Sequence, residues 1–290
     1  MGTVRDVGDT RAGRTAKPKE EGPDLPGAWS AYGVLLRHLR KRAGLNQQQL
    51  GEAIGYSLEQ VASVEQGRRP AKVAFTTAAD QALEAGGVLE VLQDEVDRAK
   101  LPRFFRNFAL IEAGAVSRFE YEPLLIPGLL QTEEYVRAVY AGHRPKLESD
   151  VVDNHTEARL NRQKILTRAP AVDLSFVIAE TALTNSVGGA EVMRRQLHHL
   201  LAVGELENVQ LQVMPPARDF HLGLNGSFVV LETGENQRFG YVESQGVGVV
   251  VAQVGAASHL GLRYGMLRSQ ALNTEQSARL IERLAGETAT

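Results

Sequence analysis

The chain has 290 residues, 43 % hydrophobic and 23 % charged, with a formal net charge of −3 and no cysteine. The absence of cysteine excludes disulfides, thiolate zinc sites and cysteine nucleophiles together. No apolar run reaches the ~20 residues of a bilayer-spanning helix, and the N-terminus lacks the apolar segment of a secretory signal, so a cytoplasmic protein with no membrane partner is expected.

The charge is unevenly placed. Residues 1–29 are neutral, with five basic and five acidic groups. Residues 30–72 carry Arg37, Arg40, Lys41, Arg42, Arg68, Arg69 and Lys72 against Glu52, Glu59 and Glu65, a surplus of +4. The remainder holds −7. A local basic face suffices for phosphate contacts on a duplex.

Residues 1–28 are rich in Gly, Pro and mixed charge and read as a disordered tail. An all-α helix-turn-helix domain is expected over 29–85. Leu35, Leu36 and Leu39 recur at helical spacing, so Tyr32–Ala43 reads as an amphipathic helix closed by Gly44. Asn46 caps a second helix, Gln47–Ile54, with Leu50 and Ile54 inward and Ala53 small where two helices approach. Gly55 makes a turn, and Ser57 caps a third helix, Leu58–Gln66, which buries Val61 and Val64. Gly67 and Pro70 stop it. Two short capped helices joined by a glycine turn describe a helix-turn-helix, whose second helix reads the major groove of double-stranded DNA.

A helical connector is expected over 86–112, and an α+β domain over 113–290. Strand-like runs occur at Asp173–Ile178, Val209–Met214, Ser227–Leu231, Gly240–Glu243 and Val247–Ala252. Helical runs occur at Thr132–Tyr140, Asp150–Arg168, Ala190–Leu206, Ala256–Gln270 and Thr274–Ala285. The stretch Phe119–Thr132 alternates aromatic, acidic and apolar residues, then sets two prolines, Pro123 and Pro127, around a hydrophobic run. It reads as an extended segment leading into a helix. Gly246 to Val249 read as a bulge or tight packing.

Leu39, Arg40, Gly44 to Gln47, Leu50, Gly55, Ser57, Val61, Glu65, Gly67, Arg69 and Pro70 resemble the Xre-type, lambda-repressor-like helix-turn-helix family over about forty residues. The resemblance assigns Gln47 to phosphate contact and Arg40 with Glu65 to an internal salt bridge. By position, Leu58, Glu59, Gln60 and Ser63 are the base-reading candidates. Gln60 suits the N6/N7 edge of adenine and Glu59 cytosine N4. Ser57, Gln66, Arg68, Arg69 and Lys72 suit phosphates, which position rather than specify. Leu58 and Ala62 depart from the family's usual polar residue and serine.

Downstream, the Phe119–Thr132 stretch, Arg159 to Gln163, Val187 to Gly189, Gln196, Leu197, Leu200, Pro215 and His221 to Gly223 resemble the C-terminal domain of actinobacterial WhiJ-like, antitoxin-like regulators. That resemblance implies a repressor-like regulator, often encoded beside a small partner protein that binds this domain. The seven histidines form no HExxH pair, and no GxxxxGK[ST] or GxGxxG occurs. No catalytic site, metal or cofactor is expected. A homodimer is expected, because one such module makes too few contacts for genomic specificity. Its surfaces are expected on the helix at 190–206 and the helices after Thr274. Two other readings are an antitoxin-like protein that binds a partner and autoregulates, and a repressor with a ligand pocket lined by Phe119, Tyr121, Tyr135 and Tyr140.

Overall fold

The computed structural model describes residues 27–216 and 220–287. The tail expected over 1–28 lies outside them, apart from Gly27 and Ala28, which open the first helix. Helices α1 (Gly27–Arg42), α2 (Gln47–Ile54), α3 (Leu58–Glu65), α4 (Val73–Ala82), α5 (Val88–Val91) and α6 (Gln93–Arg98) form an all-helical N-terminal unit. Its core contains Tyr32, Leu36, Leu39, Leu50, Ile54, Val61, Val64 and Phe75, and it also takes in Leu89 and Val96. The indole N–H of Trp29 donates to the Val96 carbonyl at 3.0 Å. Residues 86–98, read from sequence as connector, therefore pack into this first core. Asp80 holds the turn between α4 and α5, its carboxylate accepting from the Gly87 and Leu89 amides at 2.6 and 2.8 Å.

Ala53 is exposed and makes no close helix approach. The tight contacts fall at two glycines instead. A Cβ on Gly33 would lie 2.5 Å from the Val64 carbonyl, and one on Gly51 would lie 2.5 Å from that of Tyr56. Periodicity identifies which positions face inward, but crossing distance depends on which helix arrives opposite.

A short 3₁₀ turn at Arg103–Phe105 and α7 (Arg106–Ala113) lead into a mixed α+β unit. Its strands are β1 (Ala115–Glu122), β2 (Asp173–Ala179), β3 (Val209–Met214), β4 (Phe228–Thr233), β5 (Arg238–Ser244) and β6 (Val247–Val251). They form one sheet in the order β3-β2-β1-β4-β5-β6. β1, β2 and β3 run parallel, while β4, β5 and β6 form an antiparallel meander. Between β1 and β2 lie α8 (Glu133–Ala141) and α9 (Ser149–Arg162), and between β2 and β3 lie α10 (Glu180–Thr184) and α11 (Ala190–Gly204). After β6 come α12 (Val254–Gln270) and α13 (Thr274–Glu287).

Alternation sorts the side chains onto two faces. Leu174, Phe176, Ile178, Leu211 and Val213 meet Leu197, Leu200, Leu280 and Ile281 in the largest core. The expected dimer helices α11 and α13 thus bury their apolar residues against the sheet and each other. Tyr121, Val177, Phe228 and Val230 meet Leu260, Tyr264 and Leu267 of α12 on the opposite face. The four aromatic residues expected to share a pocket do not. Phe119 stacks on Tyr264 at 5.4 Å on the α12 face, while Tyr135 is buried in the other core.

The residue pattern marks the central strand β1 only as an extended segment from Phe119. Its charged residues hide it from a strand pattern, because both faces are covered. Arg118 is 2 % exposed and lies between Glu112 at 2.9 Å and Glu120 at 2.6 Å. Arg162 reaches the other Glu112 oxygen at 2.8 Å and stacks 4.1 Å over the Phe105 ring. Burial pushes the Glu112 carboxyl up, but Arg162 and Arg118 outweigh it and hold the group below the usual carboxylate range. Lys100, 1 % exposed, joins the two units through Asp97 at 2.7 Å and Glu157 of α9 at 2.9 Å.

His155 carries a pH dependence toward acid, in the same direction as the half-buried His199. His155 of α9 packs 5.4 Å from the Tyr140 ring, and its Nδ1 is buried without a hydrogen-bond partner among the described residues. Burial, then Arg159, Arg106 and His143, depress it to about 4 from 6.5. The unfolded chain takes this proton near pH 6.5 and the native chain only near pH 4. Stability contributed by the neutral ring is therefore complete above pH 6.5 and falls as pH drops toward 4. Denaturant midpoints across that range should show the decline, and His155→Leu should flatten it. An equally steep profile in the variant would assign the loss to other groups.

Candidate nucleic-acid interface

The interface is built on two reciprocal caps. The Gln49 amide donates to Asn46 Oδ1 at 2.8 Å, and the Asn46 amide donates back to Gln49 Oε1 at 2.8 Å. At α3 the Gln60 amide donates to Ser57 Oγ at 3.2 Å, and the Ser57 amide donates to Gln60 Oε1 at 2.9 Å. Each box satisfies two backbone donors and fixes where its helix starts. Gly55, at φ +76°, turns the chain between α2 and α3, a left-handed conformation that glycine adopts without a Cβ clash.

A buried ion pair locks α3 to α1. Arg40 donates from Nε to Glu65 Oε1 at 2.5 Å and from Nη2 to Oε2 at 3.0 Å. Its Nη1 donates to the Leu45 carbonyl at 2.7 Å. Gln47, the first residue of α2, donates from Nε2 to Glu65 Oε2 at 2.7 Å. The Glu65 carboxylate thus organises three helices at once. Gln47 spends its side-chain donor inside the domain, so a phosphate at α2 would meet the backbone N–H groups of the helix N-terminus.

The base-reading candidates lie together at the start of α3. Leu58 is 47 % exposed, Glu59 and Gln60 are exposed, and Ser63 is half-buried one turn on. Ser57 is exposed, and its hydroxyl oxygen serves the cap. Gln60 has only Nε2 left to offer, since Oε1 holds the Ser57 amide. A bidentate grip on adenine needs both atoms and would open the capping box. Gln66, Arg68, Arg69 and Lys72 are exposed just past α3. The Arg68 and Arg69 amides both donate to the Ser63 carbonyl, at 3.0 and 3.4 Å, which folds the basic segment back against the helix end. None of these three cations forms an ion pair among the described residues.

A helix-turn-helix domain model matches residues 31–92, over the helices that carry this edge. A second family model, described as a domain of unknown function (DUF5753), matches residues 105–283, more than half of the chain. The chain belongs to the DUF5753 family. Neither the curated proteins nor the solved structures contain a match. The helix-turn-helix domain of this DUF5753 chain supports a DNA-binding regulatory role.

In the DUF5753 domain, Gln131, Arg159, Gln163 and Gln196, singled out by motif, meet at the Ile126–Thr132 segment that follows β1. Gln131 Nε2 donates to the Ile126 carbonyl at 2.7 Å, and its Oε1 accepts from Arg159 at 2.7 Å. Gln163 donates to the Gln131 carbonyl at 2.7 Å. Gln196, fully buried, donates to the Leu130 carbonyl at 2.6 Å and accepts from the Thr132 amide at 2.7 Å. These amides supply the backbone partners that the irregular Ile126–Thr132 segment cannot find in a sheet or helix. The residues stand out in the sequence, but their role does not, because it needs α9 and α11 beside the segment. Among the described residues, no group of three or more His, Asp or Glu is placed to hold a metal, and no helix is long and apolar enough to cross a membrane.

Proposed function

We propose that this chain is a sequence-specific, Xre-type transcriptional repressor that binds the major groove of double-stranded DNA as a homodimer. The observation that carries the reading is the adjacency of two features. A short polar edge at Glu59, Gln60 and Ser63, with Leu58 beside it, runs along α3, and an exposed basic row at Arg68, Arg69 and Lys72 follows the end of the same helix. Base contacts from the first specify, and phosphate contacts from the second position. Gln47, Ser57 and Gln66 frame the same surface; Gln47 and Ser57 offer a phosphate the backbone N–H groups of their helix starts, since their side chains are held by Glu65 and by the cap. The C-terminal domain dimerises the chain and receives a partner or signal, in the manner of a WhiJ-like regulator. Its acidic surplus favours a small basic partner protein and repels DNA, so duplex contacts stay on the N-terminal module.

Genome-wide mapping of bound sites supplies an operator, and variants then separate the two roles. Gln60→Ala with Ser63→Ala is expected to erode operator preference by about 1–3 kcal/mol per lost good base contact. Arg68→Ala with Arg69→Ala is expected to weaken binding to every sequence and to flatten its salt dependence by about two units of slope. An unchanged salt slope in the arginine variant would remove these residues from the phosphate contacts.

A further inference from the structure

We propose that β6 is the dimer interface, pairing antiparallel with the β6 of a second copy to join two six-stranded sheets into one. This inference rests on the homodimeric reading above.

The two edges of the sheet are finished differently. On β3 the outward backbone groups of Val213 are taken, its carbonyl by the Leu272 amide at 2.9 Å and its amide by Ser277 Oγ at 2.9 Å. Gln212 Nε2 adds a bond to the Leu272 carbonyl at 2.7 Å. On β6 the backbone pairs with β5 on one side only. Edge strands are ordinarily blunted by lysine, proline or a bulge. β6 reads Val-Gly-Val-Val-Val and carries none of these. Val247 is 64 % exposed and Val249 is 55 % exposed.

The strand is complementary to itself. With Val249 on the two-fold axis, Val247 faces Val251 of the other copy and Gly248 faces Val250. Every cross-strand pair is then uncharged and apolar, which stabilises such pairs. Gly248 suits this place, because a Cβ there would meet the Tyr241 hydroxyl at 2.2 Å. Five residues a side fall short of the ~800 Å² per partner of a stable interface. The neighbouring exposed Val242 and Val254 widen the apolar surface.

The connector selects a second copy as the occupant. The Arg103–Phe105 turn, through which the chain arrives from the DNA-binding unit, lies against β6. Phe105 packs 5.4 Å from Tyr241, on the sheet face opposite α12. An antiparallel pair has its two-fold axis perpendicular to the sheet. Pairing through β6 therefore brings both connectors beside the axis on one face. Pairing through β3 would separate the two β6 strands by about 50 Å at ~4.8 Å per strand. Adjacent half-sites lie only ~34 Å apart.

The test uses the full-length chain in sedimentation equilibrium, with binding to one and to two half-sites measured in parallel. Val249→Asp sets two carboxylates against each other on the axis. It is expected to weaken dimerisation at least tenfold and to reduce binding to two half-sites while leaving a single half-site unchanged. Val249→Cys introduces the sole cysteine and is expected to give a disulfide-linked dimer on oxidation, with the native fold retained by circular dichroism. A monomeric wild-type chain at micromolar concentration would overturn the homodimeric reading itself. A dimeric Val249→Asp chain, or a dimeric Val249→Cys chain that fails to cross-link, would overturn the β6 interface alone.

Discussion

Arg118→Met is expected to lower the stability of the C-terminal domain by about 3–5 kcal/mol, the usual cost of breaking a buried ion pair from one side. The guanidinium is 2 % exposed and holds Glu112 and Glu120 at 2.9 and 2.6 Å. Burial lowers its affinity for the proton, but Glu120 and then Glu112 more than reverse that. Methionine fills much of the volume and leaves both carboxylates without this partner. Glu112 keeps Arg162, whereas Glu120 has no other ion pair among the described residues. The double variant Arg118→Met with Glu120→Gln should regain part of the loss, because it removes the stranded charge. Urea unfolding of the three chains measures this. A loss under about 1 kcal/mol in the single variant would show that water reaches the cluster and screens it.

Glu65→Ala is expected to cost a similar amount, about 3–5 kcal/mol, in the N-terminal unit. Three donors lose their acceptor together: Arg40 Nε at 2.5 Å, Arg40 Nη2 at 3.0 Å and Gln47 Nε2 at 2.7 Å. The carboxylate ties α3 to α1 and to the first residue of α2, so its loss loosens the angle between the two helices of the helix-turn-helix. Thermal unfolding should drop for this unit first, and DNA binding should fail at temperatures where the wild type still binds. Glu65→Gln keeps the size but loses the charge and should fall between the two. A variant that melts like wild type would remove the ion pair from the stability of the domain.

These two clusters were not equally legible. Around Arg40 and Glu65 the signals are local. Asn46 and Ser57 are cap residues, each followed three positions later by glutamine, and Gly55 stands where a left-handed turn is needed. Such signals act within four or five residues, so they survive in a single sequence. Around Arg118 no local signal exists. Glu112 lies on α7, Arg118 and Glu120 on β1, and Arg162 on α9, fifty residues from Glu112. A charged residue on a strand ordinarily marks a solvated face. Only the arrival of α7 and α9 turns that face into a buried one.

The helix-turn-helix, its caps, its polar edge and basic row, and the mixed character of the larger domain are legible in the order of residues alone. Those properties follow from hydrophobic period, turn chemistry and charge placement, which act over short stretches of chain. Tertiary structure alone decided that β1 is the central strand, that α5 and α6 belong to the DNA-binding core, and that Gln47 and Gln60 spend side-chain atoms inside the fold. It also decided that α11 and α13 bury their apolar faces while β6 keeps an open one. The physical reason is common to all of these. Whether an apolar or charged side chain is satisfied depends on what packs against it, and that neighbour is set by the topology of the whole domain.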